Sequence, residues 1–410
     1  MPKKLLQINP VVKENTSTGK IMRELGDLAM ANGWESFIAY SRARDGVPAH
    51  SSQLVPVGSK ADLFFHWVAT RFFDAHGLVS RRATRHLIQR IREIDPDIVH
   101  IHNVHGYFLH YPLLCRFLAE RGKPVIWTVH DCWLFTGHCY HYSAAGCRRW
   151  QTGCHDCPQK KAFPASYGFD RSRKNYRDKQ RAFTGIPSLT LVTVSEWMRG
   201  ELARSFLKET PCRVIHNGID LDTFQPRPDP DLRARYGITK PYYYLAVASI
   251  WLPEKGLADL VCLAATLEAD EQLVLVGRMT RSQKDSLPEN ITTVDRTADA
   301  RALAALYTAA TAFVNPTWQD NYPTVNLEAI ACGTPVITYR TGGSVEAITP
   351  ETGFIVPQGN VPAMLSKLHL IRQKGTAHWQ AACRTHALQH FGREERFKDY
   401  LRLYEDLATR

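Results

Sequence analysis

A chain of 410 residues is long enough to bury two separate cores, so two domains are expected. With 44% hydrophobic and 22% charged residues and no long repeat, its composition excludes a disordered or fibrous chain. No apolar stretch approaches the ~18 residues of a spanning helix and the opening apolar run is too short for a secretory leader, so a cytoplasmic protein is expected; the net charge of +11 suits nucleic acid, anionic lipid or a phosphorylated substrate alike.

Short apolar runs alternate with helical patterns along the chain, the rhythm of parallel strands joined by crossover helices, which predicts an α/β fold. In the first half, strands are read at residues 5–8, 36–40, 98–102, 125–129, 189–194 and 214–216. Residues 61–92 mix Phe64, Phe65, Trp67, Phe72 and Phe73 with Arg71, Arg81, Arg82, Arg85, Arg90 and Arg92. Such a segment is either a helix lying on an anionic membrane face or an ordinary two-sided core helix. A second basic stretch runs from Lys160 to Arg181.

The segment Gln225-Pro226-Arg227-Pro228-Asp229-Pro230 breaks both periodicities, because proline fixes φ and removes an amide donor. It sets the expected boundary between an N-terminal domain, residues 1–225, and a C-terminal domain, residues 226–392. Strands follow at 243–249, 272–276, 312–315 and 335–338. Residues 393–410 form a charged helix with Phe397, Tyr400, Leu401, Leu403, Tyr404 and Leu407 along it, expected to pack back on the first domain. Two open parallel sheets of this kind bind ligands at the carboxyl ends of their strands, in a crevice between the domains.

The most informative stretch runs from Asn315 to Ala329. Asp320 and Glu328 bracket a turn made by Asn321, Tyr322, Pro323 and Thr324. Pro323 can open a helix at its first position, which leaves backbone N–H groups aimed at an anion such as a diphosphate. Glu328, about a turn further on, can accept two bonds from vicinal ribose hydroxyls, while Asp320 reaches sugar hydroxyls beyond the phosphates.

These residues resemble the E-x7-E signature of glycosyltransferase family 4, and the likeness continues into Ala331-Cys332-Gly333-Thr334-Pro335 and Thr341-Gly342-Gly343-Ser344. It extends over nearly the whole chain, through Ser17-Thr18-Gly19, Asp95-Pro96-Asp97, His130-Asp131, Val194-Ser195, Asn217-Gly218-Ile219-Asp220 and Glu254-Lys255-Gly256. The resemblance implies a GT-B fold of two Rossmann-like domains with an interdomain cleft, retention of anomeric configuration, and a donor held mainly by the C-terminal domain. Carried over by position, Glu328 binds the donor ribose, Asp320 touches the transferred hexose and Lys255 pairs with the diphosphate. Asp320 stands where the family usually has glutamate, which retracts the carboxylate by one methylene. Ile250 stands five positions before Lys255, where the family commonly supplies arginine. Arg278, at a strand end, is the candidate replacement, since arginine forks two hydrogen bonds onto phosphate. His130 resembles the family's active-site histidine and orients sugar or acceptor; Gly19 permits close approach to donor phosphate, and Asn217 is placed among the donor contacts.

Other nucleotide motifs are missing. Gly19-Lys20 lacks the spacing of a P-loop, and no G-x-G-x-x-G follows the first strand. Asp95-x-Asp97 and Asp220-x-Asp222 look like the metal-binding D-x-D of the other major glycosyltransferase fold, and are read as coincidental.

Cys139, Cys147, Cys154 and Cys157 fall within one loop-like region, residues 132–158, the last two as C-x-x-C. They fit either a tetrahedral structural zinc, with His138, His141 and His155 as alternative ligands, or free buried thiols. Catalysis itself is expected to need no metal. The expected enzyme is a retaining hexosyltransferase of the bacterial surface-polysaccharide type. It uses a nucleotide diphosphate sugar, UDP-sugar favoured, and a glycan or lipid-linked acceptor. It binds no nucleic acid, and the basic aromatic segment would bring it to the inner face of the plasma membrane. The alternatives are a zinc-bearing nucleic-acid-binding protein and a sugar-binding scaffold that has lost turnover.

Overall fold

The computed structural model describes residues 2–12, 17–42 and 52–409. The chain divides into two compact units, Met1–His216 with Phe397–Arg410, and Asn217–Arg396. The division therefore falls ahead of the proline-rich segment, and the final helix begins in one unit and ends in the other.

Unit 1 runs β1 (Lys4–Ile8), α1 (Ser17–Ala31), β2 (Glu35–Tyr40), β3 (Gln53–Pro56), α2 (Lys60–Phe73), α3 (Arg81–Ile94), β4 (Ile98–Ile101), α4 (Tyr111–Arg121), β5 (Val125–Val129), α5 (Ser172–Thr184), β6 (Leu189–Thr193), α6 (Glu196–Leu202) and β7 (Cys212–Val214). Its sheet is parallel, in the order β3-β2-β1-β4-β5-β6-β7. Successive strand residues go to opposite faces. Leu6, Val99, Val125 and Leu191 join one core, while Leu5, Ile98, Ile126 and Val192 join another. A sheet buried on both faces explains why these strands read as unbroken apolar runs rather than alternating ones.

Unit 2 runs α7 (Leu232–Tyr236), β8 (Tyr242–Ile250), α8 (Leu257–Ala264), β9 (Glu271–Arg278), α9 (Arg281–Asp285), β10 (Ile291–Val294), α10 (Ala300–Ala309), β11 (Ala312–Asn315), α11 (Thr324–Ala331), β12 (Val336–Tyr339), β13 (Gly353–Val356), α12 (Val361–Lys374) and α13 (Thr376–His390). Its parallel sheet has the order β10-β9-β8-β11-β12-β13. In both sheets the strand order reverses beside the first strand, between β1 and β4 and between β8 and β11, which creates the switch point where α/β sheets bind ligands.

The last helix, α14 (Arg393–Ala408), returns to unit 1. Phe397, Tyr400, Leu401, Leu403 and Tyr404 bury against Leu5, Leu25, Ile98 and Ile126. A buried polar chain fixes its register: His100 bonds Tyr404 Oη at 2.7 Å and Thr128 Oγ1 at 2.8 Å, and Thr128 bonds Tyr400 Oη at 3.1 Å.

Several expectations change. Strands β3, β10 and β13 were not foreseen: each is only four residues long and lies at or next to a sheet edge, where a short run carries little apolar signal. The strand expected at 214–216 lies at Cys212–Val214. Residues 61–92 form two helices rather than one, and the two readings of that segment separate onto them. Ala83, Leu87, Ile88, Ile91 and Ile94 of α3 face the core, whereas Phe64, Phe65, Trp67, Phe72 and Phe73 of α2 are exposed, Phe65 at 65%. A second segment joins that aromatic face. The N–H of Tyr167 donates to Arg71 O at 2.7 Å, that of Phe169 donates to Phe72 O at 3.0 Å, and the Phe73 and Phe169 rings stack at 5.9 Å.

Candidate functional site

In unit 2 the expected residues gather at the switch point. Lys255 follows β8 and Asp320 follows β11, and Lys255 Nζ donates to Asp320 Oδ2 at 2.8 Å. Burial works against the charge on Lys255, but the Asp320 carboxylate outweighs it and raises the lysine above its ordinary value. The backbone holds the pair in place. Trp318 N–H donates to Glu254 O at 2.8 Å, which ties the two loops together. Gly256 has φ +75°, and a Cβ there would lie 2.1 Å from Pro316 O, so only glycine lets the loops approach this closely. Gly342, at φ +51°, packs in the same way on the Asp320 carbonyl, 2.0 Å from where its own Cβ would be.

Helix α11 starts at Thr324, so Pro323 caps it from outside instead of occupying its first position. The anion-binding end predicted for the turn is therefore one residue further along, with Asn321 and Tyr322 buried beside it. A buried polar network seats this helix. Asn326 accepts from Asn315 Nδ2 at 2.8 Å and donates to Ser344 O at 3.0 Å, Ser344 and Thr338 share a 2.6 Å bond, and Thr338 donates to Asn315 O at 3.0 Å. The network joins the ends of β11 and β12, the glycine turn and α11, so the position of Asp320 follows from all four.

Glu328 is held by a partner that sequence reasoning missed. Tyr307 Oη of α10 donates to Glu328 Oε2 at 3.1 Å, which sets the carboxylate in a half-buried position. The structure thus brings Lys255 and Asp320 into direct contact and places Glu328 separately, against Tyr307. Arg278 is exposed at the end of β9, and the register of the two strands pairs it with Ile250. An arginine therefore stands beside the position where the family commonly has one.

Asn217 opens a segment with a structural task. Ile219 N–H donates to Phe391 O at 2.8 Å, Arg393 N–H donates to Ile219 O at 3.0 Å, and Arg393 pairs with Asp220 at 3.3 Å. The two D-x-D look-alikes are occupied as well. Asp220 accepts from the backbone of Asp222 and Thr223. Asp95 pairs with Lys123 at 2.7 Å, and Asp97 accepts from Lys4 N–H at 2.7 Å.

In unit 1, Gly19 is buried in the first turn of α1; the loop before it, residues 13–16, lies outside the described residues. His130, at the end of β5, meets a chain of polar groups at neighbouring strand ends. His130 and His102 share a bond of 3.2 Å, His102 reaches Gln7 Oε1 at 3.0 Å, and Gln7 donates to Met22 O at 2.7 Å. Burial lowers His130 to about 4, with Asp131 opposing, so its imidazole is neutral at pH 7. Burial tends to raise Asp131, but His105, at 2.7 Å, and the Trp133 N–H outweigh it and hold the carboxyl at about 2. Neither His102 nor His105 was foreseen; both follow β4 in the run His100-Ile101-His102-Asn103-Val104-His105, whose histidine density was the available signal. A cavity of about 640 Å3 between α4 and α5, lined by Arg116, Arg171, Lys174 and Arg181 among others, includes none of the expected residues.

Comparison with known proteins gives the same assignment for both units. Residues 19–223 match the family described as Glycosyltransferase Family 4, and residues 241–373 match Glycosyl transferases group 1. A glycosyl transferase named for colanic acid biosynthesis, WcaC of Escherichia coli (strain K12), is 24% identical over 98% of this chain and 100% of its own. Among solved structures, sucrose-phosphate synthase from Thermosynechococcus elongatus superposes with a TM-score of 0.72 at 18% identity, covering 99% of each chain. Anabaena Alr3699/HepE in complex with UDP-glucose superposes at 0.67 with 15% identity, covering 98% of this chain and 100% of its own. These likenesses establish the GT-B fold, and with half the chain matched by the first family alone, this protein belongs to glycosyltransferase family 4.

Proposed function

We propose that the chain is a retaining hexosyltransferase, which moves a sugar from a nucleotide diphosphate donor, UDP-sugar favoured, to a hydroxyl of a glycan or lipid-linked acceptor. The carrying observation is the Lys255–Asp320 pair at the switch point of unit 2, beside the start of α11. In this reading the Glu328 carboxylate accepts from the ribose hydroxyls. Lys255, Arg278 and the amides at the start of α11 neutralise the diphosphate, and Asp320 accepts from a hexose hydroxyl. The acceptor hydroxyl attacks the anomeric carbon from the face that the diphosphate leaves, and a diphosphate oxygen takes its proton. Charge then builds on the leaving group beside Lys255, where a fixed cation stabilises the transition state most. No side chain is assigned as a covalent nucleophile, and the step uses no metal. His130, neutral at pH 7, donates or accepts a hydrogen bond on the acceptor side.

UDP-sugar is favoured because a structural neighbour was solved with UDP-glucose. Assembly of a surface polysaccharide is favoured by the full-length relative named for colanic acid biosynthesis. Work at the inner face of the membrane is favoured by the aromatic face of α2, although no helix among the described residues is long and apolar enough to cross a membrane. Family membership favours transfer over nucleic-acid binding.

A thermal-shift and donor-hydrolysis screen over UDP-, GDP- and ADP-sugars tests the reading. Binding to the folded state alone raises its stability, so a UDP-sugar should stabilise the parent and do so much less in Lys255→Ala and Glu328→Ala. Responses equal to the parent's in both variants would remove the site.

A further inference from the structure

Residues 130–171, between β5 and α5, contain no more regular structure than three single 3-10 turns, at Cys132–Leu134, Ser143–Ala145 and Arg149–Gln151. Irregular connections of this length are uncommon inside a compact domain. This one is nevertheless ordered around buried Phe135, Tyr142 and Trp150, whose rings lie 4.8 to 6.2 Å apart.

Four cysteines of the loop converge. Cys139, Cys147, Cys154 and Cys157 line one cavity of about 10 Å3, together with His138 and His155. A volume of that order holds a single water or ion. Every cysteine of the chain is a free thiol. Cys139 lies within electrostatic reach of Cys157, and Cys154 within that of Cys147 and Cys157. A backbone donor points at one of the sulfurs: Gly137 N–H at Cys154 Sγ, 3.1 Å away. Asp156, between the last two cysteines, has φ +44°, which folds the C-x-x-C into a tight turn.

Two buried polar groups stand beside these thiols. Lys179 is buried, its ammonium donating to Trp133 O and Thr136 O at 2.5 and 2.9 Å, and no carboxylate among the described residues pairs with it. The acids around it are the thiols of Cys154 and Cys139 and the carboxylates of Asp131 and Asp74, so negative charge on the sulfurs would be offset there. The imidazole of His138 is buried too. It bonds Asp74 at 2.6 Å through Nδ1, while its Nε2 has no partner. A carboxylate orienting a histidine from behind is the support that metal sites use.

We propose that Cys139, Cys147, Cys154 and Cys157 bind one structural zinc ion as four thiolates, with Lys179 and His138 outside the sulfurs offsetting the negative charge of the centre. As the side chains stand, no three such donors among the described residues are grouped to hold an ion, so loading turns the sulfurs into the cavity that they already line. The four thiols lose their protons as the metal binds. A closed set of four sulfurs leaves no open coordination position for substrate, so the ion braces the loop that follows His130 and takes no part in transfer.

The test is the metal content of the full chain purified without chelator, read by plasma mass spectrometry. One zinc per chain is expected. The double variant Cys154→Ser/Cys157→Ser should lose it at least about tenfold, while Cys262→Ser, on the exposed face of α8, keeps it. If the double variant fails to fold, cobalt exchanged into the parent gives the second reading, where intense visible absorption marks tetrahedral thiolate ligation. A folded parent without metal, a disulfide between any two of the four on peptide mapping, or a weak six-coordinate cobalt spectrum would overturn the proposal.

Discussion

Lys255 donates to Asp320 at 2.8 Å, and that bond joins the loop after β8 to the loop after β11 where the order of the second sheet reverses. Each partner fixes the other before any ligand arrives. Lys255→Ala should lower donor turnover by about 10²- to 10³-fold, the usual cost of losing one preorganised stabiliser of developing charge. Asp320→Asn keeps the side-chain shape but removes the carboxylate that raises the lysine, and should lower kcat more than it raises the donor KM. Steady-state rates settle the matter, and a Lys255→Ala enzyme within threefold of the parent would sink the assignment.

Glu328 and Tyr307 give a second test. The tyrosine donates at 3.1 Å to one carboxylate oxygen, so the other oxygen's direction is set by α10 as well as by α11. Glu328→Ala removes the proposed ribose contact and leaves the phenol without this acceptor; affinity for UDP should fall about 10-fold or more, a charged hydrogen bond contributing roughly 1.5–3 kcal/mol. Tyr307→Phe should weaken UDP binding only a few-fold. Calorimetric titration with UDP reads both, and a larger loss in Tyr307→Phe than in Glu328→Ala would reverse the proposed order.

Much of this site was legible because its parts are contiguous in sequence: Glu254-Lys255-Gly256 occupy one turn, and Asp320 to Glu328 a turn and the start of the helix that follows it. Parallel strands buried on both faces were also readable, as unbroken apolar runs such as residues 125–129. Tyr307, Asn326 and Ser344 were not, since their partners lie 21, 11 and 18 residues away and nothing local marks a polar residue as part of a network. Edge strands β3 and β10 were missed because four residues half covered by neighbours carry too little pattern. The split of residues 61–92 was missed for another reason. Asp74 and Ser80, neither of them glycine, take positive φ to end one helix and start the next, and the single Gly77 between them is the only local mark of the break.

The register of β8 and β9 puts Arg278 beside Ile250, which is 45% exposed. If the cation required by the diphosphate has moved one strand across, Arg278→Ala should cost about tenfold or more in kcat/KM, and Ile250→Arg in that background should recover most of it. Ile250→Arg alone should change little. Failure of the second arginine to rescue, with the protein folded, would argue that Arg278 acts elsewhere.

The aromatic face of α2 predicts binding to anionic vesicles. Phe64, Phe65, Phe72, Phe73 and Phe169 are exposed together, with Lys60 and Lys161 exposed nearby in sequence and Arg71 lying 5.5 Å over the Trp67 ring. Exposed apolar patches of this kind mark interaction surfaces, and aromatic rings with basic neighbours suit a negatively charged lipid interface. Co-sedimentation with vesicles containing phosphatidylglycerol should be strong at low salt and weak with phosphatidylcholine alone. Phe64→Ser with Phe65→Ser should reduce it severalfold without changing donor hydrolysis in solution. Equal binding of parent and variant would place any membrane contact on another surface.

Buried histidines make the fold acid-labile. Burial, helped by His110, lowers His66 to about 3, and burial, helped by His130, lowers His100 to about 3. Both are neutral in the folded chain at pH 5, while the unfolded chain begins to protonate them below about 6.5. The unfolded state therefore binds more protons throughout that window, and stability falls as the pH drops, by up to about 1.4 kcal/mol per pH unit for each histidine. Glu201 acts in the opposite sense. Burial raises it to about 7, so it favours the folded state on acidification between about 7 and 4.5, but the lowered histidines, His110 and His130 at about 4 among them, outnumber it. Asp131, held at about 2, enters only below its ordinary value of 3.8. Urea midpoints for the unit 1 transition should accordingly fall between pH 7 and pH 5, and His100→Asn, though less stable at pH 7, should show a shallower fall. A midpoint that stays level across that range would mean these imidazoles protonate in the folded chain, and that the bonds of His100 to Thr128 and Tyr404 are not the closed network that ties α14 to the sheet.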